Sequence, residues 1–239
     1  MPQKRRQLNT GVYEFTTSYI HGSMIACPHE FIFRNRMIIS FVSQKGGSGK
    51  TTLCVNMAAL AFTNGVSVAI IDLDPQASSS SWVAVRNDAL TVVSCHPPFL
   101  DKTIKSLQGN GYNLIFIDTP PHNSTAAANA IRASSFVVVP VRPSSFDLAA
   151  TSATLDLIKS NATPSGAVLN AIPSNTTVAN SAEDFLIESG FELLGRVGHR
   201  MAIQHALTAG LGVVELEPNS SASEEITSLW NKIVERIVV

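Results

Sequence analysis

Ser43-Gln44-Lys45-Gly46-Gly47-Ser48-Gly49-Lys50-Thr51-Thr52 decides the reading of this chain. An apolar run, Met37-Ile38-Ile39-Ser40-Phe41-Val42, leads into it, and a stretch of helical character begins near Lys50. Strand, glycine-rich turn and helix in that order make a phosphate-binding loop. The glycines let the backbone turn tightly and aim its N–H groups inward at phosphate oxygens. The N-terminus of the following helix adds its dipole. Within this loop Gly46, Gly47, Ser48 and Gly49 form the cradle, and Lys50 can reach the β- and γ-phosphates. Thr51 has the hydroxyl for a magnesium ion, and Thr52 is placed near the α-phosphate. The general pattern GxxxxGK followed by Ser or Thr wants glycine at position 44, where Gln44 stands; Lys45 before Gly46-Gly47 is the unusual addition.

Two other apolar runs end in carboxylates. Ile70-Ile71-Asp72-Leu73-Asp74-Pro75-Gln76 closes one, and Ile115-Phe116-Ile117-Asp118-Thr119-Pro120 closes the other. In a parallel sheet, strand ends of this kind lie beside the phosphate loop. Mg²⁺ takes a few hard oxygens and keeps waters, so Asp118 is expected to hold the metal through a water. Asp74 is expected to orient the attacking water, and Asp72 to support the loop or the metal's surroundings.

Further out, strands and helices alternate. The pattern predicts strands at 37–42, 66–72, 112–118, 135–141 and 166–172, each nearly continuous in apolar residues, as strands covered on both faces are. It predicts helices at about 50–63, 99–108, 123–133, 146–160, 179–189 and 222–237. In the last of these, Ile226, Leu229, Trp230, Ile233, Val234 and Ile237 share one stripe. This alternation predicts an α/β fold, a predominantly parallel sheet with helices on both faces. Residues 1–36 lack a period and are read as an N-terminal appendage, disordered or translated from an upstream start with Met37 or Met24 as the natural one. Residues 37–239 are read as the P-loop ATPase domain.

Composition narrows the partners. The chain of 239 residues carries a formal net charge of −1, which predicts no strong overall attraction to polyanions. Its basic side chains are uneven: residues 1–36 hold Lys4, Arg5, Arg6, Arg34 and Arg36 against Glu14 and Glu30. The three cysteines, Cys27, Cys54 and Cys95, form no CxxC pair, which argues against a disulfide framework or a zinc site and suits a reducing cytosol. No apolar run reaches the roughly 18 residues of a membrane span, and no apolar segment follows the basic N-terminus as in a secretory signal.

With its lysine before the paired glycines, the loop resembles the deviant form KGGxGK of the ParA/MinD family of ATPases. The resemblance covers most of 37–239. Asp72-Leu73-Asp74-Pro75-Gln76 is similar to the family's switch I motif, and Val139-Pro140-Val141-Arg142-Pro143-Ser144 with Asp147 to the stretch after its fourth core strand. Asn170 matches a position that often contacts the adenine. The chain looks most like short partition ATPases of the ParF type, which lack an N-terminal helix-turn-helix.

This resemblance implies an ATPase, with ATP and Mg²⁺ as cofactors, that forms a homodimer on ATP and binds DNA without sequence preference. It implies work with a ParB-like or small centromere-binding partner to segregate or position plasmid or chromosomal DNA, in the cytoplasm on the nucleoid and without a membrane. Lys45, Lys50 and Asp74 would be catalytic, with Lys45 crossing to a facing subunit's nucleotide. Arg196 and Arg200 are the expected DNA contacts, with Lys232 a further basic residue nearby; Arg200 resembles the family's arginine before a helix. Two other branches stay open: a MinD-like membrane-associated positioning ATPase, and a nucleotide-sensing scaffold with negligible hydrolysis. An iron–sulfur carrier is disfavoured, because Cys54 falls inside the first helix and Cys95 has no nearby partner.

Overall fold

In the computed structural model, residues 36–238 are described, apart from 87, 123, 174 and 175. The expected appendage therefore lies almost wholly outside the described residues. Seven strands form one sheet: β1 (Met37–Phe41), β2 (Val68–Asp72), β3 (Thr91–Ser94), β4 (Leu114–Asp118), β5 (Phe136–Val141), β6 (Ser165–Ile172) and β7 (Leu193–Gly198). Their order is β3-β2-β4-β1-β5-β6-β7, and every pairing is parallel. The helices are α1 (Lys50–Thr63), α2 (Ser78–Val83), α3 (Leu100–Gly109), α4 (Ser124–Ala133), α5 (Ser145–Ala149), α6 (Thr151–Asn161), α7 (Thr176–Glu188), α8 (Met201–Thr208), α9 (Val213–Leu216) and α10 (Ser221–Val238).

Side-chain alternation sorts the core into two layers. Met37, Ile39 and Phe41 of β1, Ile70 of β2 and Phe116 of β4 point to one face, where α1 and α10 cover them. Trp230 of α10 meets Phe116 edge-on, with ring centroids 6.2 Å apart, so the α10 stripe belongs to the core. Each such fully buried side chain is worth about 1.5–3 kcal/mol of transfer free energy. On the opposite face, Val137 and Val139 of β5 pack under α4, α6 and α7. Ile71, Ile115 and Ile117 pack there under α3 and α4.

The five expected strands are all present, with bounds within two residues of those expected. The two edge strands, β3 and β7, are additions. They are only partly covered, so neither shows the continuous apolar run that marks a central strand. One expected helix, 146–160, is split at Ala150 into α5 and α6. Ser144 caps the first piece by accepting from the Asp147 N–H at 3.2 Å.

Candidate nucleotide site

The chain builds outward from β1 to β3, returns through β4, and then crosses β1 to lay down β5, β6 and β7. The carboxyl end of β1 is thus where connections diverge, the place where open α/β sheets bind ligands. The loop 43–49 leaves from there. Gly47 and Gly49 take left-handed backbone angles, φ +73° and +101°, which favour glycine. Gly49 is the N-cap of α1, and no side chain caps that end. The first N–H groups of a 14-residue helix are therefore available to an anion.

A cleft of about 340 Å³ opens over the loop, lined among others by Gly47, Gly49, Lys50, Thr51, Thr52, Asp74 and Asn170. That volume falls in the usual range for small-molecule sites. Lys50 is 6 % exposed, and its Nζ donates to the Lys45 carbonyl at 3.1 Å. Burial draws the Lys50 ammonium below the ordinary lysine range, with Asp118 and Asp74 pulling the other way. Asn170 donates from Nδ2 to the Ser48 carbonyl at 2.8 Å, tying the end of β6 to the loop.

The three acids are placed differently. Asp118 is fully buried at the end of β4. Its Oδ2 accepts from the Ser79 hydroxyl at 2.8 Å, while its Oδ1 is buried with no hydrogen-bond partner among the described residues. Burial pushes this carboxyl up to about 7; the Thr51 and Ser79 hydroxyls draw it down, Asp72 pushes it up and Lys50 draws it down. A buried carboxylate oxygen without a partner, next to the Thr51 hydroxyl, is a donor set that fits a hard divalent cation such as Mg²⁺. Asp74 lines the cleft, and its Oδ1 accepts from the Gln76 N–H at 2.9 Å. Asp72 has its oxygens engaged by the chain itself: Oδ1 accepts from the Asp74 N–H at 3.1 Å, and Oδ2 from the Ser80 N–H and hydroxyl at 3.0 and 3.2 Å. Of its two expected roles, this geometry suits support of the loop.

Of the remaining expected residues, Lys45 is half-buried and does not line the cleft of its own chain. It has no ion-pair partner among the described residues. Arg200 stands at the N-cap of α8 and does line the cleft. Its guanidinium is paired with Glu225 at 2.5 Å. Arg196, on β7, is paired with Glu183, and Lys232 with Glu235 at 3.6 Å. Sequence reasoning gave no role to Ser79, which stands in a run of four serines that matches no motif. It likewise gave none to Arg142, whose place beside the loop depends on the pairing of β5 with β1.

Known proteins share this fold and domain. The family profile described as "CobQ/CobB/MinD/ParA nucleotide binding domain" matches residues 39–213. Maintenance of carboxysome distribution protein A of Halothiobacillus neapolitanus is 28% identical over 208 residues, covering 82% of this chain and 95% of that protein. The chromosome-partitioning ATPase Soj of Thermus thermophilus is 46% identical over 48 residues, 20% of this chain and 19% of that one. Among solved structures, the septum site-determining protein MinD of Pyrococcus horikoshii, complexed with Mg-ADP, superposes with a TM-score of 0.71 at 21% identity, covering 85% of this chain and 98% of that chain.

Proposed function

Since the chain belongs to the CobQ/CobB/MinD/ParA nucleotide-binding domain family, we propose that it is a positioning or partition ATPase whose dimer forms on ATP and comes apart after hydrolysis. The observation that carries this reading is Lys45: a cation on the phosphate loop that neither lines its own cleft nor meets a carboxylate among the described residues. Lys50 already serves the nucleotide of its own chain. A second loop cation outside that cleft serves a nucleotide held by a facing copy, where it stabilises charge on the transferring phosphoryl group much as an arginine finger does.

In this reading the loop amides and the α1 N-terminus hold the phosphates, and Lys50 neutralises them. Asn170 fixes the loop and faces the adenine. Thr51 and Asp118 would hold Mg²⁺, which when bound would supply charge neutralisation to the phosphates. Asp74 orients the attacking water, and Asp72 holds the loop that carries Asp74. The ATP-bound dimer binds DNA through backbone phosphates, without sequence preference, and a ParB-like partner stimulates turnover. Family relatives position different cargoes, as the carboxysome protein and Soj do by name; DNA is the cargo proposed for this chain.

Sedimentation velocity tests the dimer. The parent should be monomeric with ADP and dimeric with a slowly hydrolysed ATP analogue. Lys45→Ala should bind nucleotide yet stay monomeric and lose turnover. A Lys45→Ala protein that dimerises and hydrolyses ATP at the parental rate would overturn the reading.

A further inference from the structure

Arg142 follows the last residue of β5, the strand paired directly with β1. That pairing sets its guanidinium against the phosphate loop. A β-carbon built on Gly47 would stand 3.7 Å from Arg142 Nη2, 3.8 Å from Cζ and 3.9 Å from Nη1. The near-equal distances mean that the guanidinium as a whole faces the glycine. Arg142 also lines the cleft with Lys50 and Asp74.

Its freedom sets it apart from Arg200, the other arginine among the residues lining the cleft. Arg86, Arg196, Arg200 and Arg236 each hold a carboxylate. Among the described residues Arg142 holds none, and Asp147, close by in sequence, has its carboxylate engaged by the Ser144 hydroxyl. A guanidinium presents five donors in a planar fork suited to phosphate oxygens. Keeping one unpaired at the mouth of a phosphate cleft, against a glycine loop, leaves that fork for the ligand.

We propose that Arg142 is a second phosphate-binding cation in cis: its fork closes on the polyphosphate of the nucleotide held by its own chain, from the β5 side, opposite the α1 N-terminus. This inference rests on the nucleotide-site reading above and adds to it a residue for ground-state binding. Such a contact to a charged group is worth roughly tenfold or more in affinity.

The test measures binding of ADP and of a slowly hydrolysed ATP analogue by titration calorimetry at two salt concentrations, with thermal unfolding of each nucleotide-free protein alongside. Arg142→Ala should weaken both nucleotides about tenfold, with a smaller loss at high salt, and leave the unfolding temperature within a degree or two of the parent. Arg142→Lys should recover part of the loss, and Arg142→Gln none. Parental affinities in Arg142→Ala would overturn the proposal. So would unchanged binding with loss of the ATP-dependent dimer alone, which would put the fork on a facing copy. A fall in unfolding temperature matching the loss of affinity would make Arg142 a brace for the loop and would overturn it too. If the parent itself binds neither nucleotide, the nucleotide-site reading fails, and that result is distinct from a failure of Arg142 alone.

Discussion

The side-chain amide of Asn170 occupies the space a β-carbon on Gly49 would need: the two would stand 1.9 Å apart. The same amide donates to the Ser48 carbonyl at 2.8 Å. One residue at the end of β6 thus fixes the loop and dictates glycine at the start of α1.

Gly49→Ala should therefore fail twice, from a left-handed φ of +101° and from collision with Asn170. A non-glycine residue held in the left-handed region costs about 1–3 kcal/mol, and displacing Asn170 adds to that. In a double-mutant cycle by urea denaturation, Asn170→Ala should relieve the collision but not the backbone strain, so the double variant should be more stable than the sum of the singles predicts. Strict additivity would mean the two residues do not meet.

The acids should separate by what they touch. Asp74→Ala should keep nucleotide affinity within a few-fold and slow hydrolysis, on the order of 100-fold, because a residue that orients water acts chiefly in the transition state. Asp118→Ala should weaken Mg²⁺-dependent binding. Equal losses of affinity in both would contradict these roles. Binding and single-turnover rates measured on the same preparations decide it.

Asp118 also predicts a pH dependence in the metal-free, nucleotide-free protein. Its carboxyl is pushed up to about 7 from the ordinary 3.8. Between those values the native state holds a proton that the unfolded state releases, so this group's contribution to stability falls as pH rises through that window. Asp118→Asn removes the titration. In EDTA, the variant's stability relative to the parent should rise between pH 5 and pH 8. A difference constant with pH would show that the burial of Asp118 carries no such penalty.

Arg86 predicts the largest loss of stability away from the cleft. Its guanidinium is paired with Asp88 and Glu215 and donates to the Gly210 carbonyl at 3.1 Å. It lies 4.9 Å from the Trp82 ring centroid. The network ties the end of α2 to the turn between α8 and α9. Arg86→Ala strands Glu215 in a half-buried position and should cost about 3–5 kcal/mol. The carboxyl of Asp88 is held low chiefly by its hydrogen bond to Arg86. Its contribution is present above the ordinary carboxylate range and is lost as pH falls through the native value. The variant's stability should then fall less steeply with acid than the parent's, as urea denaturation at several pH values would read.

The proposed DNA binding should require ATP and fall steeply with salt. Arg196 and Arg200 must leave Glu183 and Glu225 to meet DNA phosphates. Glu225→Gln should therefore strengthen binding, while Arg200→Ala should weaken it evenly across sequences and reduce the salt slope by about one. Equal DNA affinity in parent and Glu225→Gln would remove Arg200 from the interface.

The sequence by itself determined the loop, the acids at the ends of β2 and β4, and the five central strands. Those features are local: glycine spacing, a strand-to-helix junction, and apolar runs covered on both faces. The edge strands β3 and β7 were decided only by the fold, since a half-covered strand borrows its identity from its neighbour. The break at Ala150 is likewise a feature of the folded chain. Only the tertiary structure shows Asp72 engaged by Ser80 and the Asp118 Oδ1 left without a partner among the described residues. It alone brought Arg142, just after β5, onto Gly47 of the β1 loop and Asn170 of β6 onto Gly49. Both meetings join residues more than 90 positions apart, and spacing along the chain carries no trace of them. They exist because parallel pairing sets β1, β5 and β6 side by side, with their carboxyl ends opening on the same cleft.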